Sequence, residues 1–172
     1  MKRLFILRHA KSGWSDPAMD DFDRPLAPRG RRAAPRIGGH MRSLEYRPSV
    51  ALCSPAGRAR ETWRQVLAEL DCVPLEDIRP ALYHAEPRTL LDAVRSIDDI
   101  HPSAIVIGHN PGILTLALGL VGRGIASANP FGKYPTGALT VFDFAADSWA
   151  DIGPGDGTLI DFTRPKDLDR NA

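Results

Sequence analysis

Four apolar residues in a row, Leu4-Phe5-Ile6-Leu7, follow a basic start and stop abruptly at Arg8-His9. An unbroken apolar run of this kind suits a strand covered on both faces, here read over 3–7. Similar runs recur at 49–53 (SVALC) and 104–108 (AIVIG), and later at 138–144 (ALTVFDF) and 157–162 (GTLIDF). Between them the period changes. Ala59, Trp63, Val66, Leu67 and Leu70 share one helical face within 58–70, and Leu90, Leu91, Val94 and Ile97 share another within 86–97, where Pro87 suits a first helical position. The stretch 28–44 reads as a helix beginning near Pro28, although Pro35 and Gly38-Gly39 weaken it. The segment 111–121, apolar nearly all round, predicts a buried helix, and RPALY (79–83) reads as a further strand ahead of Glu86. This alternation predicts a single three-layer α/β domain, with a mostly parallel central sheet flanked by helices and right-handed crossovers. The domain is expected over 1–165, with 166–172 a polar, loosely held tail.

Composition changes this picture little. At 172 residues with a formal net charge of +1, the chain is sized for one domain, and it lacks the basic excess of a broad nucleic-acid face. An arginine-rich, acid-free run from Arg24 to Arg42 stands out, and its default reading is a helix with its arginines in water. Cys53 and Cys72 form neither a disulfide framework nor a metal-spaced pair, and Cys53 reads as a buried strand residue. The N-terminal apolar run is too short for a signal segment, and no stretch approaches the ~20 apolar residues of a membrane span. The expectation is a cytoplasmic monomer with no membrane or nucleic-acid partner.

Candidate chemistry sits where the apolar runs end. In parallel sheets, ligands bind outside the carboxyl ends of the strands. Those ends carry Arg8-His9, then Ser54-Pro55 leading to Arg58, then His109-Asn110. Two arginines and two histidines on one edge suit an anion, and a phosphoryl group best, because the guanidinium fork matches phosphate oxygens and stays charged. Asn110-Pro111-Gly112 opens a helix whose free N–H groups favour the same charge. Neighbouring cations would keep one histidine neutral and nucleophilic, able to form a phosphohistidine, while the other donates a hydrogen bond. Crowded guanidiniums repel a divalent cation, so neither a metal nor another cofactor is expected. Each residue alone has a bland reading; the case is their coincidence.

These residues also carry a resemblance. LRHAKS resembles the Arg-His signature of the histidine phosphatase superfamily, the phosphoglycerate mutase-like fold, with alanine where glycine is usual. CSPAGRARET resembles its Ser-Pro-x-x-Arg-Ala-x-x-Thr segment, and VIGHNPGI its late Gly-His motif. DFDRPLAPRG and YPTGAL are similar to segments of the small phosphohistidine phosphatase (SixA-type) branch. The resemblance spans residues 3 to about 165. It implies His9 as nucleophile, with Arg8, Arg58 and His109 around the phosphate and Arg24, Ser12 and Asn110 as further substrate contacts. Arg24 has an equal alternative as an ion-pair partner of Asp21 or Asp23. For the proton donor it points to a carboxyl near mid-chain, which Glu86 supplies; its plain alternative is an idle acid at a helix start. Asp16, Asp20, Asp21 and Asp23 are the other source, and His84 reads as a surface residue. Short connections imply an open site, suited to phosphohistidine on a signalling or phosphotransfer protein. A small phosphomonoester and a non-catalytic phospho-ligand binder are the alternatives.

Overall fold

In the computed structural model, residues 1–122 and 129–169 are described. Six strands form one sheet in the order β3-β2-β4-β1-β5-β6. They are β1 (Lys2–Arg8), β2 (Val50–Cys53), β3 (Leu75–Ile78), β4 (Ser103–Gly108), β5 (Leu139–Phe144) and β6 (Gly157–Thr163). β1 to β4 pair in parallel, and β5 runs antiparallel to both β1 and β6. The helices are α1 (Pro28–Ser43), α2 (Gly57–Leu67), α3 (Pro87–Arg95), α4 (Gly112–Leu120) and the single turn α5 (Pro165–Leu168).

The apolar strand runs feed two cores because alternate residues face opposite ways. Leu4, Ile6, Leu52 and Val106 pack with Leu90, Val94, Ile113 and Leu116 of α3 and α4. Phe5, Leu7, Ala51, Ile105 and Ile107 pack on the other face with Ala34, Ile37 and Met41 of α1 and Ala59, Trp63 and Val66 of α2. Each such side chain stabilises the fold by about 1.5–3 kcal/mol. The inward stripe Ala34-Ile37-Met41 also carries α1 unbroken through Pro35.

Some sequence expectations are corrected. RPALY is not a strand: Pro80–Leu82 forms a 3-10 turn, and the third strand lies earlier, at Leu75–Ile78. That edge strand is mostly exposed and lacks an apolar run, while Pro80 has no N–H to give a ladder. α4 is buried only along Gly112, Ile113, Leu116, Ala117 and Leu120, with Thr115 and Gly119 exposed. Part of the expected loose tail is docked: Leu168 packs against the second core and Arg36 pairs with Asp169. The long connection from Leu120 to Gly137 falls partly outside the described residues, at 123–128.

The topology opens a crevice at one point. β1 and β4 are neighbours, with Arg8 in register with Gly108, yet the chain leaves β1 toward α1 on one face and β4 toward α4 on the other. Adjacent strands whose connections diverge in this way leave a ligand site at their carboxyl ends. His9 and His109 are the first residues past that point.

Candidate active site

Register and backbone bonds bring the strand ends together. The His9 N–H donates to the Gly108 carbonyl at 3.0 Å, and the Ser54 N–H to the Ile107 carbonyl at 3.0 Å. The imidazoles of His9 and His109 stand 5.2 Å apart, centroid to centroid. The Gly137 N–H bonds the carbonyls of Arg8 and His9, closing the β5 side. Across the crevice, a Cβ on Gly112 would lie 2.1 Å from the Ala85 carbonyl oxygen, so only glycine lets the loop after β3 reach this edge.

His9 is oriented by its own chain. Its Nδ1 lies 2.8 Å from the Ala10 carbonyl, which can only accept, so Nδ1 carries the proton and Nε2 the lone pair. The Ala10 N–H donates to Thr62 Oγ1 (2.9 Å), and Thr62 donates to the Arg58 carbonyl (2.6 Å), tying this turn to α2. His109 is set from the opposite side. Ser54 Oγ accepts from the Ala56 N–H and lies 2.7 Å from His109 Nε2. The serine hydroxyl can donate to or accept from Nε2; if it donates, His109 Nδ1 bears the hydrogen, and that buried atom has no protein partner among the described residues.

The arginines frame the imidazoles. Arg8 donates from Nη1 to the Tyr134 carbonyl at 2.8 Å, which Asn110 Nδ2 shares at 3.1 Å. Arg58, buried in the first turn of α2, donates to the Asp21 carbonyl oxygen (2.6 Å) and carboxylate (3.0 Å). The Nε atoms of Arg8 and Arg58 are buried donors without partners among the described residues, as an anion site requires. Arg24 pairs with Asp21 at 2.8 Å and lies 4.0 Å from the centroid of the Trp14 ring, so the ion-pair alternative holds for it at this edge. Ser12 is fixed through its bridge to Leu26.

Sequence reasoning undervalued Asp21. Its carboxylate also accepts from Tyr83 Oη at 2.6 Å and His84 Nε2 at 2.9 Å. Burial alone would raise its pKa, but the bonds from Tyr83, His84 and Arg58 hold it well below the usual carboxylate range. His84 is exposed, as the sequence suggested, yet it faces the site: its ring stands 5.0 Å from that of His109. Glu86, by contrast, is the exposed residue before α3, with no side-chain cap bond. Misplacing the strand onto 79–83 hid this. The loop after the true β3 leaves the same sheet edge, so the strand-end rule applied there points to Tyr83-His84.

Both central imidazoles are held neutral. Burial lowers the His9 pKa to about 4, with Arg58, Arg8 and Arg24 adding to the effect against the Ala10 hydrogen bond. Burial likewise lowers His109 to about 3, followed by repulsion from His9, Arg58 and His84 and partly offset by Asp21. Burial thus outweighs the cations that the sequence alone suggests. Unfolded histidine takes its proton near pH ~6.5, so the folded chain refuses protons that the unfolded chain accepts. This contribution to stability is complete above about pH 6.5 and is lost as the pH falls toward 4. In NMR titration of the free protein, the His9 and His109 ring signals should stay flat through pH 6, and urea midpoints should fall from pH 7 to 4.5. A His9 midpoint at the ordinary value would contradict this environment.

Comparison with known proteins decides the family. The family profile described as "Histidine phosphatase superfamily (branch 1)" matches residues 4–82. The uncharacterized protein Rv1276c of Mycobacterium tuberculosis is 36% identical over 164 residues, covering 93% of this chain and 100% of the relative. The chain belongs to the histidine phosphatase superfamily. A candidate phosphohistidine phosphatase SixA from Agrobacterium tumefaciens superposes with TM-score 0.82 at 28% identity, over 95% of this chain and 98% of that one. A protein histidine phosphatase SixA complexed with tungstate superposes at 0.79 with 21% identity, over 96% and 99% of the two chains. This histidine phosphatase thus has the phosphoglycerate mutase-like fold expected from its sequence, and it is an enzyme of the phosphatase class. No described helix is long and apolar enough to cross a membrane.

Proposed function

We propose that this phosphatase hydrolyses phosphohistidine on a protein through a phosphorylated His9. The observation that carries the chemistry is the fixed tautomer of His9, which leaves a neutral Nε2 lone pair between two arginines and a second imidazole. Nε2 attacks phosphorus, the P–N bond to the substrate breaks, and the departing imidazole takes a proton. Water then attacks phosphorus, His9 is released and inorganic phosphate leaves. Arg8, Arg58 and the Nδ1–H of His109 stabilise the oxygens during both transfers, with Asn110 fixing the Arg8 side of the pocket.

The finer reading, a protein substrate, is supported by the rim. Trp14 is 61% exposed and Phe22 39%, and Phe22 packs edge-on against Tyr83 at 5.1 Å, so exposed aromatic surface lies on the Asp21 side of the site. Exposed aromatic residues of this kind anchor protein partners. A SixA protein histidine phosphatase among the structural neighbours supports it as well. The test is turnover on a phosphohistidine carrier domain against a panel of small phosphomonoesters. The carrier should be preferred by at least tenfold in kcat/KM; a preference for a small ester by orders of magnitude would end the protein-substrate reading.

Proton handling falls to Asp21 and its partner His84 rather than to Glu86. A phosphoryl group arriving at Arg58 draws donors from Asp21 and adds negative charge beside it, raising its proton affinity as a proton is needed. Asp21→Asn should slow phosphomonoester hydrolysis about 10²-fold and phosphohistidine hydrolysis less, since imidazole departs with less help. Glu86→Gln should change neither by more than about twofold. Steady-state rates on both substrates check this, and the reverse ranking would restore Glu86.

A further inference from the structure

Outside the phosphate pocket, a cavity of about 250 Å³ lies against the catalytic edge, lined by Lys11, Arg29, Thr136, Arg164 and Lys166 among others. Lys11 follows His9 by two residues, and Thr136 directly precedes Gly137, whose N–H bonds the His9 carbonyl. The cavity and the nucleophile therefore share one stretch of backbone. Its charge is unbalanced. The nearby acid, Asp167, is engaged by the Arg164 guanidinium at 2.8 Å through each carboxylate oxygen. Lys11, Arg29 and Lys166 are exposed and form no ion pair among the described residues. Other arginines of the basic run are neutralised: Arg31 by Glu61, Arg36 by Asp169 and Arg42 by Glu69. Within α1 and α5 the unpaired cations thus gather on the part that borders the active site, and they continue to Arg32, exposed one turn after Arg29.

We propose that this basic cavity is a second binding subsite that receives acidic side chains of the phosphorylated protein, beside its phosphohistidine. The proposal rests on the protein-substrate reading above. An extended partner fits better than a small second anion, because the positive surface runs out of the cavity along α1. Free cations opposite carboxylates raise association rate and fix orientation, and their effect weakens with salt. The phosphoryl group would then be delivered to His9 already aligned.

The test compares wild type with Arg29→Gln/Lys166→Gln, which leaves every catalytic residue intact. Two substrates are used: a histidine-phosphorylated carrier domain with acidic residues around the phosphohistidine, and free N-phosphohistidine. On the carrier, kcat/KM should fall about tenfold, mostly through KM, while free phosphohistidine changes by less than about twofold. Neutralising the carrier's flanking acids should reproduce the loss in wild type and add little in the double variant. Wild-type turnover of the carrier should also drop with salt more steeply than that of the variant. Equal rates for variant and wild type on the carrier, or equal losses on both substrates, would overturn the subsite alone. A wild-type enzyme that leaves the carrier phosphorylated while cleaving small esters would overturn the protein-substrate reading and this proposal with it.

Discussion

Replacing His9 with alanine is expected to lower turnover by about four to six orders of magnitude, because the covalent route is removed and not merely weakened. Alanine cannot accept the phosphoryl group, and the neighbouring His109 is not placed to stand in for it. His109 lies 5.2 Å away, with its Nε2 engaged by Ser54. The structural cost should be small, since the backbone bonds of His9 to Gly108 and Gly137 do not need its side chain. Quenching in alkaline detergent after exposure to labelled substrate, followed by brief acid treatment of half the sample, separates this from a general loss of binding. Wild type should retain label through the alkaline quench and lose it on acid treatment, and His9→Ala should carry none, while both still bind vanadate or tungstate. Label on the alanine variant, or unchanged turnover, would move the nucleophile elsewhere.

The second large effect is expected at Arg58. This guanidinium is 1% exposed, and its Nη atoms hold Asp21 while its Nε lies unpartnered. Arg58→Met keeps much of the volume and removes the charge. Loss of a positioned donor to the transferring oxygens should lower kcat by about 10²–10³-fold. Stability should fall too, by about 1–3 kcal/mol, because Asp21 loses its buried partner while Arg24, Tyr83 and His84 still hold it. Arg58→Lys distinguishes charge from geometry. Lysine restores the charge but not the fork, so it should recover much of the stability and little of the rate. Chemical denaturation and steady-state kinetics on the same preparations would show whether the two responses separate. A full rescue of kcat by lysine would mean that point charge alone suffices.

The two replacements probe different parts of one device. In the proposed mechanism His9 supplies the lone pair, and its tautomer is set by the neighbouring Ala10 carbonyl, which does not titrate. Asp21 holds the Arg58 guanidinium in place. In the proposed mechanism an incoming phosphoryl group would compete with Asp21 for it, so chemistry and binding would be linked through one carboxylate, which is why both Asp21→Asn and Arg58→Met are expected to act on rate.

The sequence alone determined the sheet's buried strands, the amphipathic helices and four of the site's residues. These were legible because each depends on local pattern. β1, β2 and β4 announce themselves as apolar runs since both their faces are covered, and Arg8, His9, Arg58 and His109 follow from where such runs stop. Strand β3 was not legible, being an exposed edge without an apolar signature, and Tyr83 and His84 were hidden with it. Only the tertiary structure decided which carboxylate enters the site. Asp21 and Glu86 look alike as acids in loops, but the turn at Asp21–Asp23 rests against α2 while Glu86 faces solvent. The neutrality of His9 and His109 was likewise settled in space, since burial comes from side chains distant in the chain. The unpaired cations beside His9 also emerged only there, because the partners that neutralise the other arginines lie up to 133 residues away, as Asp169 does from Arg36. Local pattern encodes what a segment will become; which charges meet depends on the packing of segments that no window of sequence contains.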